Sequence, residues 1–402
     1  MNEQRSLSMP FWCAANPVGD PFGPGVLAEV KAAETAELLA AAGRKGLIHY
    51  TAAHDDDLVG WNPDDPEDDL DPAGKTRGIL EEVRGVLNEG GVSFKMIGCC
   101  LHADPVFRNG GIANPDPRVR ILAAQKIMRS LRIGSFLGAE FFTYWVARDG
   151  FETQFAVPWG STYRYIQEAL NMVPRYCREH DLSIRRATIE YKPNEPRGEM
   201  FLPTIGHAAA MIQSLETPDF WGCNPEVLQH DAMINLSSAA SVAFALHMKK
   251  LFFLHVGSQK PGQFDNDNPP TIGMDGLKEM VSILYLLKKA DWDGYIEFDS
   301  HMLRTDAVPG GASRLEVRER FISLAVEAYR LVEQKALDLV EDREISRCLD
   351  ELWAEDAALE QMLSSCSLEE LAGTRIDYRS TSERPLRIGE LDLLVNRRIM
   401  GR

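Results

Sequence analysis

The feature that most constrains the fold is a regular alternation of short apolar runs with longer helical patterns. Eight such runs occur, at residues 10–13, 46–51, 94–99, 140–145, 186–190, 220–223, 251–255 and 295–299. Apolar strands that alternate with helices indicate a parallel sheet covered on both faces. Eight units predict an α/β fold, the (β/α)8 TIM barrel, over residues 1–333.

The C-terminal segment 334–402 differs in composition from the rest of the chain. It contains charged helical stretches, such as residues 341–360, and few apolar residues. Such a segment lacks the material for a strong core of its own. We therefore expect a helical and loop extension that packs on the barrel or on a neighbouring subunit and makes oligomer contacts.

Charge and composition exclude several classes of function. The chain has 402 residues, and 60 acidic against 43 basic residues give a net charge of -17. This charge disfavours nucleic-acid binding, including a metal-dependent nuclease, because phosphate contacts need clustered Lys and Arg. No apolar stretch reaches the 18 residues that a membrane span needs. Seven cysteines without CxxC spacing and no apolar leader lead us to expect a cytoplasmic protein with reduced thiols.

Polar residues and tryptophans occupy the C-terminal ends of the predicted strands, where TIM barrels build their sites. These residues are Trp12, His54, His102, Trp145, Glu190, Lys192, Glu226, His255 and Asp299. Strands five to eight each end near a carboxylate or an imidazole. Buried together, these groups need a neutralising cation, so we predict a divalent metal.

Three further residues are candidate ligands of that metal. Asp265 and Asp267 follow the strand that carries His255, and His230 comes four residues after Glu226, one turn along if that stretch is helical. Oxygen ligands with one or two imidazoles suit Mg²⁺, Mn²⁺ or Co²⁺ better than a structural zinc site. Any one of these residues alone is more typical of a surface carboxylate or a core histidine, but the set together favours metal binding.

Several motifs resemble those of a known family. Residues 189–198, Ile-Glu-Tyr-Lys-Pro-Asn-Glu-Pro-Arg-Gly, are similar to the Glu-Pro-Lys-Pro-Asn-Glu-Pro-Arg-Gly signature of xylose isomerase, the metal-dependent aldose–ketose isomerase. Residues 54–59 match its His-Asp-Asp-Asp-Leu-Val segment. Further matching segments follow in the family's order at residues 20–23, 105–111, 224–226, 304–306 and 400–402. The chain resembles the xylose isomerase family nearly end to end.

The resemblance implies a sugar substrate, two divalent metal ions per subunit and a homotetramer, or a dimer. Glu190, Glu226 and Asp299 would hold the first metal. Glu226 would also bridge to a second metal carried by Asp265 and Asp267. The metals would assist a hydride shift between C1 and C2 of the sugar.

The resemblance also implies catalytic and substrate-binding roles. His54, oriented by Asp57, would help to open the sugar ring, and Lys192 would polarise the carbonyl oxygen. Trp12 and Trp145 would line the path of the hydride. Phe22 would reach into the pocket of a neighbouring subunit.

The chain departs from the family in ways that concern specificity. His255 stands where the family has an aspartate ligand, which favours Mn²⁺ or Co²⁺ over Mg²⁺. Gln229 occupies the place of the family's second-site histidine, and His230 follows one residue later. His102 replaces an aromatic wall residue, usually Phe, and Tyr191 replaces a proline. These changes predict a sugar other than D-xylose, with a hydroxyl or charged group that xylose lacks.

Two other functions fit the same residues. A sugar epimerase would use proton transfer in the same pocket, with His255 and His102 as additional acid and base groups. A non-catalytic sugar-binding relative would explain the altered second metal site. Among the three, the retained ring-opening histidine and lysine favour the aldose–ketose isomerase.

Overall fold

The strands of the protein form a closed parallel barrel. The computed structural model describes residues 5–19, 23–64, 75–265, 267, 271, 273, 275–308, 314–353 and 357–402. Its strands are β1 (Leu7–Ser8), β2 (Tyr50–His54), β3 (Ser93–Gly98), β4 (Phe141–Trp145), β5 (Gly150–Phe151), β6 (Arg186–Glu190), β7 (Glu199–Met200), β8 (Trp221–Cys223), β9 (Glu226–Val227), β10 (Phe253–Val256) and β11 (Tyr295–Phe298).

All strands except β5 and β7 belong to one sheet, in the order β8-β6-β4-β3-β2-β1-β11-β10-β9, and each neighbouring pair is parallel. A parallel bridge between Cys223 and Leu251 joins the two ends of this sheet. Strands β8 and β9 are consecutive pieces of one barrel position, which leaves eight positions. The predicted (β/α)8 barrel is therefore confirmed. Strands β5 and β7 pair separately and antiparallel.

Helices follow the barrel strands and cover the sheet. They are α1 (Phe11–Ala15), α2 (Ala32–Arg44), α3 (Asp55–Leu58), α4 (Lys75–Glu89), α5 (Pro117–Leu137), α6 (Trp159–Glu179), α7 (Ile205–Gln213), α8 (His230–Met233), α9 (Ser238–His247), α10 (Leu277–Lys289) and α11 (Arg314–Glu341). Local sequence fixes their ends, as α5 shows. Its N-cap Asp116 accepts a hydrogen bond from the Arg118 amide, Pro117 occupies the first helical position, and Gly138 ends the helix with a φ of 91°.

The inside of the barrel is filled in layers, because alternate residues of each strand point inward. At the N-terminal end the layer is aromatic: the rings of Tyr50, Phe141, Phe253 and Tyr295 pack with centroids 5.0 to 5.8 Å apart. Lys95 adds an ion pair with Glu140, 2.5 Å between Nζ and Oε1, at this end. These rings close the barrel interior at its N-terminal end.

The first two strands lie elsewhere than the sequence predicted. Residues 10–13 were expected to be a strand, but Phe11–Ala15 form α1 and the strand is β1, three residues earlier. Pro10 explains the difference, since it lacks an amide proton for the sheet and is well suited to precede a helix. The second strand, expected at 46–51, is Tyr50–His54, which places His54 on the strand itself.

The C-terminal extension consists of short helices outside the barrel. They are α12 (Arg343–Trp353), α13 (Ala357–Ser365), α14 (Leu368–Gly373), α15 (Tyr378–Glu383) and α16 (Ile388–Ile399). The expected boundary between residues 333 and 334 lies within α11. Arg398 of α16 ties the extension back to the end of α11 through Asp342, 2.6 Å between Nε and Oδ2. Leu363, Leu368 and Tyr378 remain more than 80% exposed. Within the described chain, no helix is both long and apolar enough to span a bilayer.

Candidate active site

A cavity of about 290 Å³ opens at the C-terminal end of the barrel. Its lining is mostly polar, with two tryptophans, and includes most of the residues predicted from sequence. It is formed by Trp12, Asn16, His54, Asp56, Asp57, Met96, Gly98, Cys100, His102, Thr143, Trp145, Glu190, Glu226, His255, Asp265, Asp267, Asp299 and His301. Lys192 and His230 contact this set from just outside the lining. Phe22, the remaining predicted site residue, lies outside the described residues.

The first ligand cluster surrounds the imidazole of His255. The Nδ1 atom of His255 lies 3.1 Å from Oδ2 of Asp299 and 3.3 Å from Oε2 of Glu190. All three side chains are nearly fully buried. They come from β10, from the end of β6 and from the residue after β11, so the barrel register brings them together. One imidazole and two carboxylates at this spacing can hold a divalent cation.

The second ligand cluster centres on Glu226 of β9. Nε2 of His230 lies 2.7 Å from Oε2 of Glu226 and 3.4 Å from Oδ2 of Asp265. His230 therefore reaches the site despite its one-residue offset. Between Glu226 and His230 the chain turns at Leu228, which has a φ of 60°, and α8 begins at His230. Glu226, Asp265 and Asp267 form a further group of convergent ligand atoms.

Lys192 lies beside the second cluster. Its ammonium contacts Oδ2 of Asp265 at 2.5 Å and lies 5.5 Å from the ring centre of Trp145. Lys192 holds the pKa of Asp265 far below its usual range, although burial opposes this. The lysine thus provides the positive charge that keeps this carboxylate ionised.

The arrangement of buried atoms fits a bound cation. Among the described residues, Glu226 Oε1 and Asp265 Oδ1 are buried without a hydrogen-bond partner, and the close contacts of His230 Nε2 and His255 Nδ1 with carboxylates lack hydrogen-bond geometry. Buried polar atoms are almost always paired. Lone pairs that converge without hydrogen bonds are what coordination to a metal requires. The residues present therefore fit a divalent metal ion.

The electrostatics of the two clusters agree with this reading. Burial, together with Asp265 and Asp299, raises the pKa of Glu226 to about 8, and burial also raises the pKa of Asp267. Burial favours neutral His230, but the adjacent Glu226 carboxylate raises its pKa well above the usual range. Protons occupy these groups more readily than in water, so a cation at the site competes with protons.

His54 lies on the opposite side of the cavity from Glu226. The carboxylate of Asp57 accepts a hydrogen bond from the His54 backbone amide at 2.7 Å, and its Oδ2 lies 3.4 Å from the ring Nδ1. Burial alone lowers the pKa of His54, but the Asp57 contact outweighs it and the pKa is raised. Gly98 makes room for the ring, because a Cβ there would lie 2.8 Å from Cδ2 of His54.

A buried salt-bridge network fixes α3, which carries Asp57. Oδ2 of Asp55 lies 2.5 Å from Nζ of Lys126 and 2.8 Å from Nη1 of Arg129, and all three side chains are buried. Asp56 joins the network through Lys126 at 2.9 Å. The first two residues of the acidic run after β2, Asp55 and Asp56, thus hold α3 in place.

Aromatic rings form the wall between His54 and Lys192. His102 packs edge-on against Trp145, 5.1 Å between ring centres, and lies 5.9 Å from His54. Burial and the neighbouring His54 lower the pKa of His102 to about 3. His102 is therefore a neutral polar group in this wall. Trp12 stands on the other side and donates its indole N–H to Oδ1 of Asp299 at 2.9 Å.

Sequence reasoning missed two ionisable residues that contact the ligand clusters. Glu297 of β11 lies 3.1 Å from Nε2 of His255, and strand alternation with Asp299 could have revealed it. His301 lies in a loop, where it contacts Asn16 at 2.9 Å and Asp267 at 3.3 Å. No spacing pattern in the sequence points to His301.

The sequence and the fold of the chain are similar to those of known sugar isomerases and epimerases. No family model matches the chain. It is 28% identical to the xylose isomerase of Thermus caldophilus over 401 residues, 99% of this chain and 98% of that protein. It is 30% identical to the xylose isomerase of Thermus thermophilus over 346 residues, 86% and 84% of the two chains. The D-allulose 3-epimerase of Methylomonas sp., solved with D-allulose, shares the fold with a TM-score of 0.54 and 15% identity, covering 83% of this chain and 97% of its own. The chain belongs to the xylose isomerase family.

Proposed function

We propose that the protein is an aldose–ketose isomerase, within the broader class of sugar isomerases and epimerases. The observation that carries the proposal is that one cavity brings together two ligand clusters, the His54–Asp57 pair and Lys192. Metal ligation alone does not require a histidine–aspartate pair or a buried lysine beside the ligands. A reaction on a sugar gives each of these groups a purpose.

The residues divide into two metal sites. Glu190, His255 and Asp299, with Glu226 between the sites, would hold one divalent cation. Glu226, His230, Asp265 and Asp267 would hold a second. A bound Mn²⁺, Co²⁺ or Mg²⁺ supplies Lewis acidity to the sugar oxygens and fixes their position. The imidazoles favour Mn²⁺ or Co²⁺.

The remaining polar residues act on the sugar directly. In its neutral form His54 accepts the proton of the anomeric hydroxyl and returns it to the ring oxygen as the ring opens, while Asp57 holds the imidazole in orientation. Lys192 stabilises negative charge at the carbonyl oxygen. Trp12 and Trp145 exclude water from the C1–C2 bond, which favours transfer of a hydride over exchange of a proton.

The oligomeric state that the family suggests is consistent with the C-terminal extension. A tetramer or dimer fits the C-terminal extension, whose exposed apolar side chains include Trp353 at 73% and Leu363 at 84%. These residues would pack on a neighbouring subunit, because scattered helices with exposed apolar faces gain stability from such contacts. Sedimentation of the purified protein tests this assignment.

Turnover of a panel of aldoses with Mn²⁺, Co²⁺ or Mg²⁺ tests the isomerase. Conversion of at least one aldose to its ketose, abolished by chelation, is the expected result. Sugar binding without any turnover, beside an active control enzyme, overturns the proposal in favour of a non-catalytic sugar-binding protein.

An epimerase is the second candidate, because His102 and His255 add imidazoles to the cavity and the barrel is shared with a sugar epimerase. The two reactions differ in the fate of hydrogen. A hydride shift keeps the substrate's own hydrogen, whereas proton transfer incorporates deuterium from D₂O. Mass spectrometry of the product in D₂O separates them.

A further inference from the structure

Three buried side chains stand side by side on neighbouring strands, and one of them is His255 of the first ligand cluster. In the sheet register Ser8 of β1 pairs with Glu297 of β11, and Glu297 pairs with His255 of β10. All three point into the barrel, and each is at most 1% exposed. Glu297 lies two residues before Asp299 on the same face of β11, so it sits one layer below Asp299 and level with His255.

Each carboxylate oxygen of Glu297 has one hydrogen-bonding neighbour. Its Oε1 lies 3.1 Å from Nε2 of His255, with hydrogen-bond geometry. Its Oε2 accepts a hydrogen bond from the Ser8 hydroxyl. When Glu297 is ionised it only accepts hydrogen bonds, and the ring nitrogen that faces it then carries the proton.

The other ring nitrogen of His255 faces the ligand cluster. Nδ1 lies within 3.3 Å of carboxylate oxygens of Glu190 and Asp299, yet it makes no hydrogen bond within the described chain. A proton on Nε2 leaves the lone pair on Nδ1 of the neutral ring. With a metal bound, the neutral ring would therefore direct its Nδ1 lone pair into the ligand cluster and its Nε2–H at Glu297.

We propose that Glu297 is a positioning residue that fixes the Nε2–H tautomer of His255 and directs its Nδ1 lone pair at the metal. The inference rests on the proposed function, since it takes His255 to be a ligand. A carboxylate behind a ligating imidazole orients it and increases its basicity. A neutral histidine ligand carries one negative charge fewer than an aspartate ligand would. Glu297, which contacts the far side of the His255 ring, supplies a negative charge close by.

A titration with Co²⁺ tests the proposal, read by visible absorption and by calorimetry. Glu297→Gln should weaken Co²⁺ binding about 10- to 100-fold and change the absorption bands, because the imidazole loses its anionic partner. In a His255→Ala background the same substitution should cause little further loss. Glu333→Gln is the matched control, since Glu333 is a buried carboxylate that contacts Tyr329 and Arg330 away from the cavity.

The outcomes separate the two proposals. If wild-type protein binds no divalent metal, the proposed function fails and this inference with it. If the wild type binds Co²⁺ and Glu297→Gln binds it with the same affinity and spectrum, only the role of Glu297 is overturned. A lower unfolding temperature of metal-free Glu297→Gln with unchanged Co²⁺ spectra indicates a purely structural role.

A second measurement covers the case in which the variant does not fold. Histidine labelled with ¹⁵N in the wild-type protein, loaded with Mg²⁺, reports which ring nitrogen carries the proton. A protonated Nε2 on His255 supports the proposal. A protonated Nδ1 contradicts it.

Discussion

The two ends of the barrel interior are built by the same strands but differ in chemistry. At the N-terminal end β4 and β10 contribute Phe141 and Phe253, which pack with Tyr295. Two residues further along β10, and four further along β11, the inward positions are His255 and Asp299, which meet Glu190. The alternation of side chains along each strand supplies inward positions at both ends. Only the residue types differ: aromatic rings fill the N-terminal end and form a plug, and ionisable groups at the C-terminal end form the candidate site.

The largest expected effect is at the polar end. Glu226→Gln removes the carboxylate proposed to serve both metal sites, and should lower kcat about a thousandfold or more, because charge stabilisation at the reacting oxygens is lost. Steady-state assays at saturating metal measure the effect. The matched change at the other end is Glu140→Gln, which should leave kcat within about twofold. Equal losses in both variants would contradict the division between plug and site.

The reverse pattern is expected at the aromatic end. Phe141→Ala leaves a cavity among packed rings and should lower the free energy of unfolding by about 3–5 kcal/mol. Its kcat at a temperature where it stays folded should match the wild type. Thermal and denaturant unfolding give the stability. Phe155, which is fully exposed, is the control: Phe155→Ala should change stability by less than about 0.5 kcal/mol.

The residues that gather at the polar end could be located from the sequence, because barrel topology fixes where strand ends meet. Strand β6 was predicted with its exact bounds, and Glu190 follows from it. The contribution of His230 could not be settled, because it depends on the backbone conformation of Leu228. His301 lies in a loop, where no periodicity sets the side-chain direction. The aromatic plug was not predicted, since ring packing across the barrel depends on register between distant strands.

A smaller effect concerns the pH dependence set by Asp57. The Asp57 contact raises the pKa of His54 against the effect of burial, so Asp57→Asn should lower that pKa. If neutral His54 is the active form, the acid limb of kcat/KM moves to lower pH. Profiles between pH 4.5 and 8, with metal held saturating, measure the shift. Asp56→Asn should leave the limb in place, because Asp56 pairs with Lys126. A limb that moves to higher pH would falsify the role of Asp57.

The smallest expected effect is on specificity and comes from the wall. His102→Phe makes the wall as apolar as the plug, so a substrate hydroxyl that contacts the imidazole loses its partner. The ratio of kcat/KM for the best aldose over D-xylose should fall about tenfold. The pKa of His102 is lowered to about 3 by burial and by His54, so the ring is neutral in both assays and the effect should be equal at pH 6 and pH 8. His102→Gln keeps polar atoms and should retain more of the preference. An unchanged ratio in His102→Phe shows that the wall does not select the sugar.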